Sequence, residues 1–117
     1  MWIKVLQTKI HRATVTDANL NYEGSITLDK NLVERAGLIE NQQVDVYNLN
    51  NGERFSTYVI LGKRGSGVVC LNGAAARRVH VGDPIIVAAY GYMDQQEAKT
   101  YVPTIVYVSH ENHAVEK

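Results

Sequence analysis

Two stretches of strict alternation, Val44 to Leu49 and Arg54 to Leu61, flank Asn50-Asn51-Gly52, whose Asn-Gly pair suits a tight hairpin turn, and this pairing constrains the chain more than any other feature. A period of two sends successive side chains to opposite sides, so Arg54, Ser56, Tyr58 and Ile60 share one face and Phe55, Thr57, Val59 and Leu61 the other. The bias extends through the sequence: valine and isoleucine far outnumber leucine, and tyrosine supplies seven of the aromatic residues against one Trp and one Phe, which favours strands. The expected fold is mainly β.

Further strands are expected at Ile3 to Lys9, Ala13 to Thr16, Ile26 to Leu28, Val68 to Leu71, Ile85 to Tyr92 and Tyr101 to Ser109, with a break at His11 and Arg12. Asp17 to Ser25 reads as a loop, GKRGSG at 62–67 and VGDP at 81–84 as turns, and 110–117 as a mobile tail with little to bury. One helix is expected from Lys30 to Ala36, capped by Asp29 and stopped by Gly37. A second, short helix through Ala74 to Arg78 takes Asn72 as its cap.

The chain of 117 residues fits a single domain, 1–117, with no room for a second catalytic one. Twelve basic and twelve acidic residues balance, so no overall field draws it to nucleic acid or to an anionic membrane. Charged or small residues interrupt every hydrophobic stretch before it could span a bilayer, and the start MWIKVLQTKIHR lacks the apolar core of a signal peptide. A single cysteine closes no intrachain disulfide, and the cytoplasm is the expected compartment.

Isolated motifs carry little. Cys70 in VVCL suits a small buried strand residue, and His110 and His113 have no further Cys or His nearby, so no metal is expected. GKRGSG lacks the Gly-Lys-Ser/Thr ending of a P-loop. Lys63 and Arg64 with Tyr47, Tyr58 and Tyr90 offer a non-enzyme alternative, a small barrel that binds single-stranded RNA, against which the neutral charge and the lack of a ribonucleoprotein motif count.

Longer segments are more specific. KIHRATVTDANLNYEGS at 9–25, NGERFSTY at 51–58 and NGAAAR at 72–77, with their spacing, the hairpin and VGD at 81–83, together resemble the pyruvoyl-dependent aspartate 1-decarboxylases over nearly the whole chain. The resemblance implies a double-psi β-barrel with short helices, a homotetramer with active sites between subunits, and formation of β-alanine from L-aspartate for pantothenate synthesis. It also implies a zymogen that cuts itself between Gly24 and Ser25, leaving pieces 1–24 and 25–117. The Ser25 hydroxyl attacks the preceding carbonyl, the resulting ester undergoes β-elimination, and hydrolysis leaves a covalent pyruvoyl cofactor in place of pyridoxal phosphate. Some members need an accessory protein for this maturation.

Gly24 suits the cut by presenting an unobstructed carbonyl and by tolerating backbone angles that other residues resist. By resemblance Thr57 donates to the oxyanion, while His11, Tyr22 and Asn72 surround the cleavage and substrate sites. Aspartate's amine would form a Schiff base with the pyruvoyl ketone. Arg54 would pair a substrate carboxylate through its planar fork, Lys9 would be the second cationic contact and Tyr58 the proton donor. Thr57, Asn72, Gly73, Ala74 and Ala75 match substrate-binding positions, the last three letting backbone approach the ligand. Asn19 and Asn21 stand where Asp and His are frequent in the family. A barrel of the same fold that does not process itself is the second alternative.

Overall fold

The computed structural model describes residues 1–116; Lys117, the last residue of the expected tail, lies outside the described residues. In chain order the elements are β1 (Trp2–Thr14), β2 (Asp17–Asn19), β3 (Ser25–Asp29), α1 (Lys30–Ala36), β4 (Gln43–Asn48), β5 (Arg54–Gly62), β6 (Val69–Asn72), a 3-10 helix (Gly73–Arg78), β7 (Pro84–Asp94), α2 (Gln95–Ala98), β8 (Thr104–Val108) and β9 (Ala114–Val115). Hydrogen-bonded neighbours run in the order β2-β6-β3-β5-β4-β7-β1-β8-β9. Three of the pairs, β1 with β8, β2 with β6 and β3 with β5, are parallel, and the others are antiparallel. Beyond β1 the chain crosses back to β6, where Thr16 N donates to Val69 O at 2.8 Å. This is a mainly β fold with short helices, compatible with a small β-barrel of the double-psi type. Among the described residues no helix is long and apolar enough to cross a membrane.

The central hairpin forms as its alternation requires. β4 and β5 pair from Gln43↔Tyr58 to Tyr47↔Arg54, and Gly52 takes φ +76° in the turn. Inward-facing Val44, Val46 and Val59 join Ile10, Ile26, Leu28, Leu71, Ile85 and Val87 in one core, all at most 1 % exposed. Each such side chain contributes about 1.5–3 kcal/mol by leaving water.

Helix α1 also matches its sequence signals. Asp29 Oδ1 accepts from Asn31 N at 2.8 Å, and Gly37 ends the helix at φ +72°. Asp29 does more than cap: it is buried, and it also accepts from Gly65 N at 3.0 Å and Gly67 N at 2.9 Å. Burial pushes its pKa up, but the three backbone donors outweigh it and hold the carboxyl below its ordinary value. The turn at 62–67 is thereby tied to the start of the helix.

Four expectations need correction. The break at His11 and Arg12 does not divide two strands: β1 runs on as one strand with irregular register between Leu6 and Thr8 and again between Ile10 and Ala13, and Arg12 takes φ +62° at the second irregularity. A bulge absorbs the extra residues without ending the strand. The expected loop after Thr16 contains β2, held by Asn19↔Asn72 and its neighbours, and α2 follows β7 where no helix is expected. The strand expected from Tyr101 to Ser109 is β8, which starts at Thr104, after Pro103, and is followed by β9 in the expected tail. The tail buries Asn112, whose Oδ1 accepts from Thr14 N and whose Nδ2 donates to Thr14 O and Gly67 O, each at 2.8 Å.

Candidate active site

Ser25 opens β3 and lies directly opposite Asn72 of β6, with Thr27 opposite Cys70 two residues on. Opposed residues share a face, so these four side chains stand together, away from Ile26 and Leu71 on the core side. Ser25 is fully buried although Asn21 to Gly24 before it are exposed. Its hydroxyl donates to Glu23 O at 3.0 Å and accepts from Asn72 Nδ2 at 2.9 Å. The same nitrogen donates to Thr27 Oγ1 at 3.0 Å, and Asn72 Oδ1 accepts from the Cys70 thiol at 3.2 Å.

Asn72 therefore does not cap the following helix as its sequence position suggests. It stands at the N-cap of the 3-10 helix without any side-chain capping bond, and its amide turns to Ser25 instead. The backbone constraint expected at Gly24 is displaced as well. Gly24 has no left-handed φ and open space around it, whereas Gly73 sits at φ +64° and a Cβ there would lie 2.7 Å from Gly24 N and Cα and 3.0 Å from Tyr22 O. Close approach to the segment before Ser25 thus requires glycine at position 73. Tyr22 is itself exposed.

A second group lies on the outer face of β5, β4, β7 and β1. Arg54 opposes Tyr47, Ser56 opposes Asp45, and Asp45 and Lys9 both oppose Ala88, so one row crosses four strands as Ser56, Asp45, Ala88 and Lys9. Strand alternation adds Arg54 and Tyr58 to that face. The Arg54 guanidinium lies 4.0 Å from the centre of the Tyr47 ring, and the Tyr47 and Tyr90 hydroxyls are 2.7 Å apart. Burial and that hydrogen bond push the Tyr47 phenol up to about 12, so it stays protonated at neutral pH. Among the described residues Arg54 forms no ion pair, and it is exposed. A cation stacked on an aromatic ring with its outer edge toward solvent is suited to receive a carboxylate.

One chain brings only some of these residues together. Ser25 and Tyr58 each precede the first β3–β5 pair, Ile26↔Val59, by one residue and so mark the same end of neighbouring strands. Arg54 lies four residues along β5 from Tyr58, about 13 Å, and Lys9 lies three strands from β5, about 14 Å. Thr57 belongs by alternation to the side of Phe55 and Val59, is half-buried, and lines an open groove with Asn41, Gln43, Ser56 and Tyr58. His11 lies elsewhere, at the β1 bulge, its ring edge-on to Tyr107 at 5.8 Å in a groove with Arg12 and His110. Ala74 is exposed on the 3-10 helix and Ala75 packs on the core.

Thr27, Cys70, Tyr47 and Asp45 gain importance that sequence reading misses. Tyr47 and Asp45 were open to discovery by counting register back from Asn-Gly, which places them opposite Arg54 and Ser56. No comparable signal links Cys70 to Ser25. Of the residues in the RNA-binding alternative, Arg64 is held by Glu34 through two bonds of 2.7 and 2.9 Å and by Asn31 at 2.7 Å, while Tyr47 and Tyr90 bond to each other. These contacts weaken that alternative.

The family model described as aspartate decarboxylase matches residues 1–115. The aspartate 1-decarboxylase of Caldicellulosiruptor saccharolyticus is 61% identical over 115 residues, covering 98% of this chain and 90% of that protein. That of Acetivibrio thermocellus is 56% identical over 115 residues, covering 98% and 91%. The aspartate 1-decarboxylase of Campylobacter curvus is 56% identical over 117 residues and covers both chains in full. With near-complete coverage at this identity, and with the Ser25 cluster and the Arg54 face built by the matched segments, the chain belongs to the aspartate decarboxylase family.

Proposed function

We propose that this protein decarboxylates L-aspartate to β-alanine and carbon dioxide, in the service of pantothenate synthesis in the cytoplasm, after cutting itself between Gly24 and Ser25. The observation that carries the reading is the burial of Ser25 with its hydroxyl held on both sides, by Glu23 O and by Asn72 Nδ2. A turn serine in an exposed loop needs no such enclosure; a nucleophile that must meet its own chain's carbonyl does. Gly73 leaves room for the backbone of Gly24, which any side chain at 73 would crowd, and a donor from Thr57 is the group assigned to the oxyanion.

The donor set fits a pyruvoyl group derived from Ser25, since Asn72 and Thr27 line that position with hydrogen-bonding atoms. Such a group supplies an electron sink for the charge left when carbon dioxide departs. Around it Arg54 binds and orients a substrate carboxylate, Lys9 adds a second positive charge, and Tyr58 delivers a proton to the decarboxylated carbon from its place beside Ser25. The backbone of Gly73, Ala74 and Ala75 approaches the substrate.

The separation of Arg54, Tyr58 and Lys9 over one open face supports a homotetramer in which sites close between subunits, because a neighbour supplies the wall that one chain lacks. Light scattering should report four copies.

Prolonged warm incubation followed by denaturing electrophoresis and intact-mass spectrometry tests the chemistry. A short piece ending at Gly24 and a long piece with a carbonyl-reactive end are expected, and Ser25→Ala should leave one whole, folded chain without decarboxylase activity. A wild-type chain that stays whole and still decarboxylates aspartate would sink the mechanism.

A further inference from the structure

The carboxamide of Asn72 is the hub of a set of hydrogen bonds that reaches the Ser25 hydroxyl. A primary amide has two ends of nearly equal shape, one a donor and one an acceptor, and its neighbours decide which end points where. Here the Cys70 thiol donates to Oδ1 at 3.2 Å, so Nδ2 is directed at Ser25 Oγ, 2.9 Å away, and at Thr27 Oγ1, 3.0 Å away. Ser25 in turn directs its own proton to Glu23 O at 3.0 Å, which leaves its oxygen to accept from Nδ2. The set is internally consistent: the two N–H of Asn72, the hydroxyl of Ser25 and the thiol of Cys70 each meet one acceptor. The bond between Ser25 and Asn72 is enclosed, with Ser25 fully buried and Asn72 only 3 % exposed, while Thr27 and Cys70 are half-buried at its outer side. Burial, with Asp17 nearby, pushes the Cys70 thiol up and keeps it protonated as a donor.

We propose that Cys70 and Thr27 are positioning residues for self-cleavage, clamping the Asn72 amide with its nitrogen toward Ser25 and thereby fixing the orientation of the attacking oxygen. The inference rests on the self-cleaving reading above. In the step they serve, a bond forms between Ser25 Oγ and the Gly24 carbonyl carbon as the Gly24–Ser25 C–N bond breaks. The hydroxyl proton passes to the released nitrogen, and Asn72 keeps both of its own. Cys70 and Thr27 touch no reacting atom.

The test follows the full-length precursor by intact mass from the moment of purification. Cys70→Val and Cys70→Ala remove the donor, and Thr27→Val removes the hydroxyl; each should slow cutting about three- to tenfold, the effect of one net hydrogen bond. Cys70→Ser and Thr27→Ser restore a hydroxyl and should return the rate to near the wild-type value, a rescue that a packing role does not provide. Thermal unfolding of every variant separates slow cutting from poor folding, and Cys70→Ala serves where the larger valine does not fit. Wild-type cutting with an unchanged rate in Cys70→Ala, or equal slowing in Cys70→Ala and Cys70→Ser, overturns the positioning role alone. A wild-type chain that never cuts overturns the positioning role and the reading beneath it together.

Discussion

Around Ser25 the polar atoms are buried or half-buried and answer one another within the chain; around Arg54 they lie exposed, stacked and open outward. Ser25, Asn72, Thr27 and Cys70 form a closed set of hydrogen bonds, whereas Arg54 rests on Tyr47 at 4.0 Å with no carboxylate partner among the described residues. The difference teaches what the two proposed reactions would each ask of a small fold. A reaction of the chain upon itself needs its atoms held in place before anything binds, while recognition of an incoming acid needs a charge that is oriented yet unpaired.

The strongest way to break the comparison is Gly73→Ala. Its new Cβ would meet the Gly24 backbone at 2.7 Å, and alanine would also have to adopt φ +64°. Displacing Gly24 should slow self-cleavage about a hundredfold or more while leaving the outer face untouched. The measurement is the intact-mass time course. Cutting at the wild-type rate would show that the enclosure of Ser25 is more yielding than its packing indicates.

Smaller effects are expected on the outer face, and there they should appear in turnover rather than in cutting. Tyr58→Phe, in fully cleaved protein, should lower kcat about a hundredfold with little change in KM, through loss of a proton donor. Arg54→Lys keeps the charge but loses the planar fork, so KM for aspartate should rise about ten- to a hundredfold, the equivalent of about 1.5–3 kcal/mol. Self-cleavage should be spared in Arg54→Lys, since no carboxylate substrate takes part in it. Normal KM in Arg54→Lys, or wild-type kcat in Tyr58→Phe, would remove that residue from its role.

Tyr47 sharpens the comparison with the smallest effect. Tyr47→Leu removes the ring beneath Arg54 and the partner of the Tyr90 hydroxyl, and a partly exposed cation–π contact is worth about 0.5–1 kcal/mol. KM should rise about two- to fivefold, whereas Tyr47→Phe should retain most of the stacking. Equal values for the two variants would assign the effect to the hydroxyl pair instead.

What could be read in the sequence depended on how far apart the interacting residues lie. The hairpin and α1 carry their instructions locally, in Asn-Gly and in Asp29 with Gly37, and the arrangement of Arg54 and Tyr58 on one face follows from alternation alone. Continuity of β1 was illegible because its second irregularity uses Arg12 at φ +62°, a conformation that a non-glycine sequence does not advertise. Asn72 has the spacing of a helix cap, and only a partner 47 residues away reveals its use. Asn112 looks like one more polar residue in a polar tail until Thr14, 98 residues earlier, takes both ends of its amide. The family resemblance identified Asn72 as important; it did not disclose Cys70 or Thr27 behind it.

The position of β1 between β7 and β8 has a consequence for the order of events in the life of the molecule. Its partners begin at Pro84 and Thr104, so the first strand finds its place only when most of the chain is available, and covalent continuity limits the entropy lost in bringing such distant segments together. Once folded, the strand is held along one edge by a long antiparallel ladder and along the other by a parallel one. The proposed cut after Gly24 would therefore sever a connection that folding has already used, and would leave the short N-terminal piece as a strand paired on both edges.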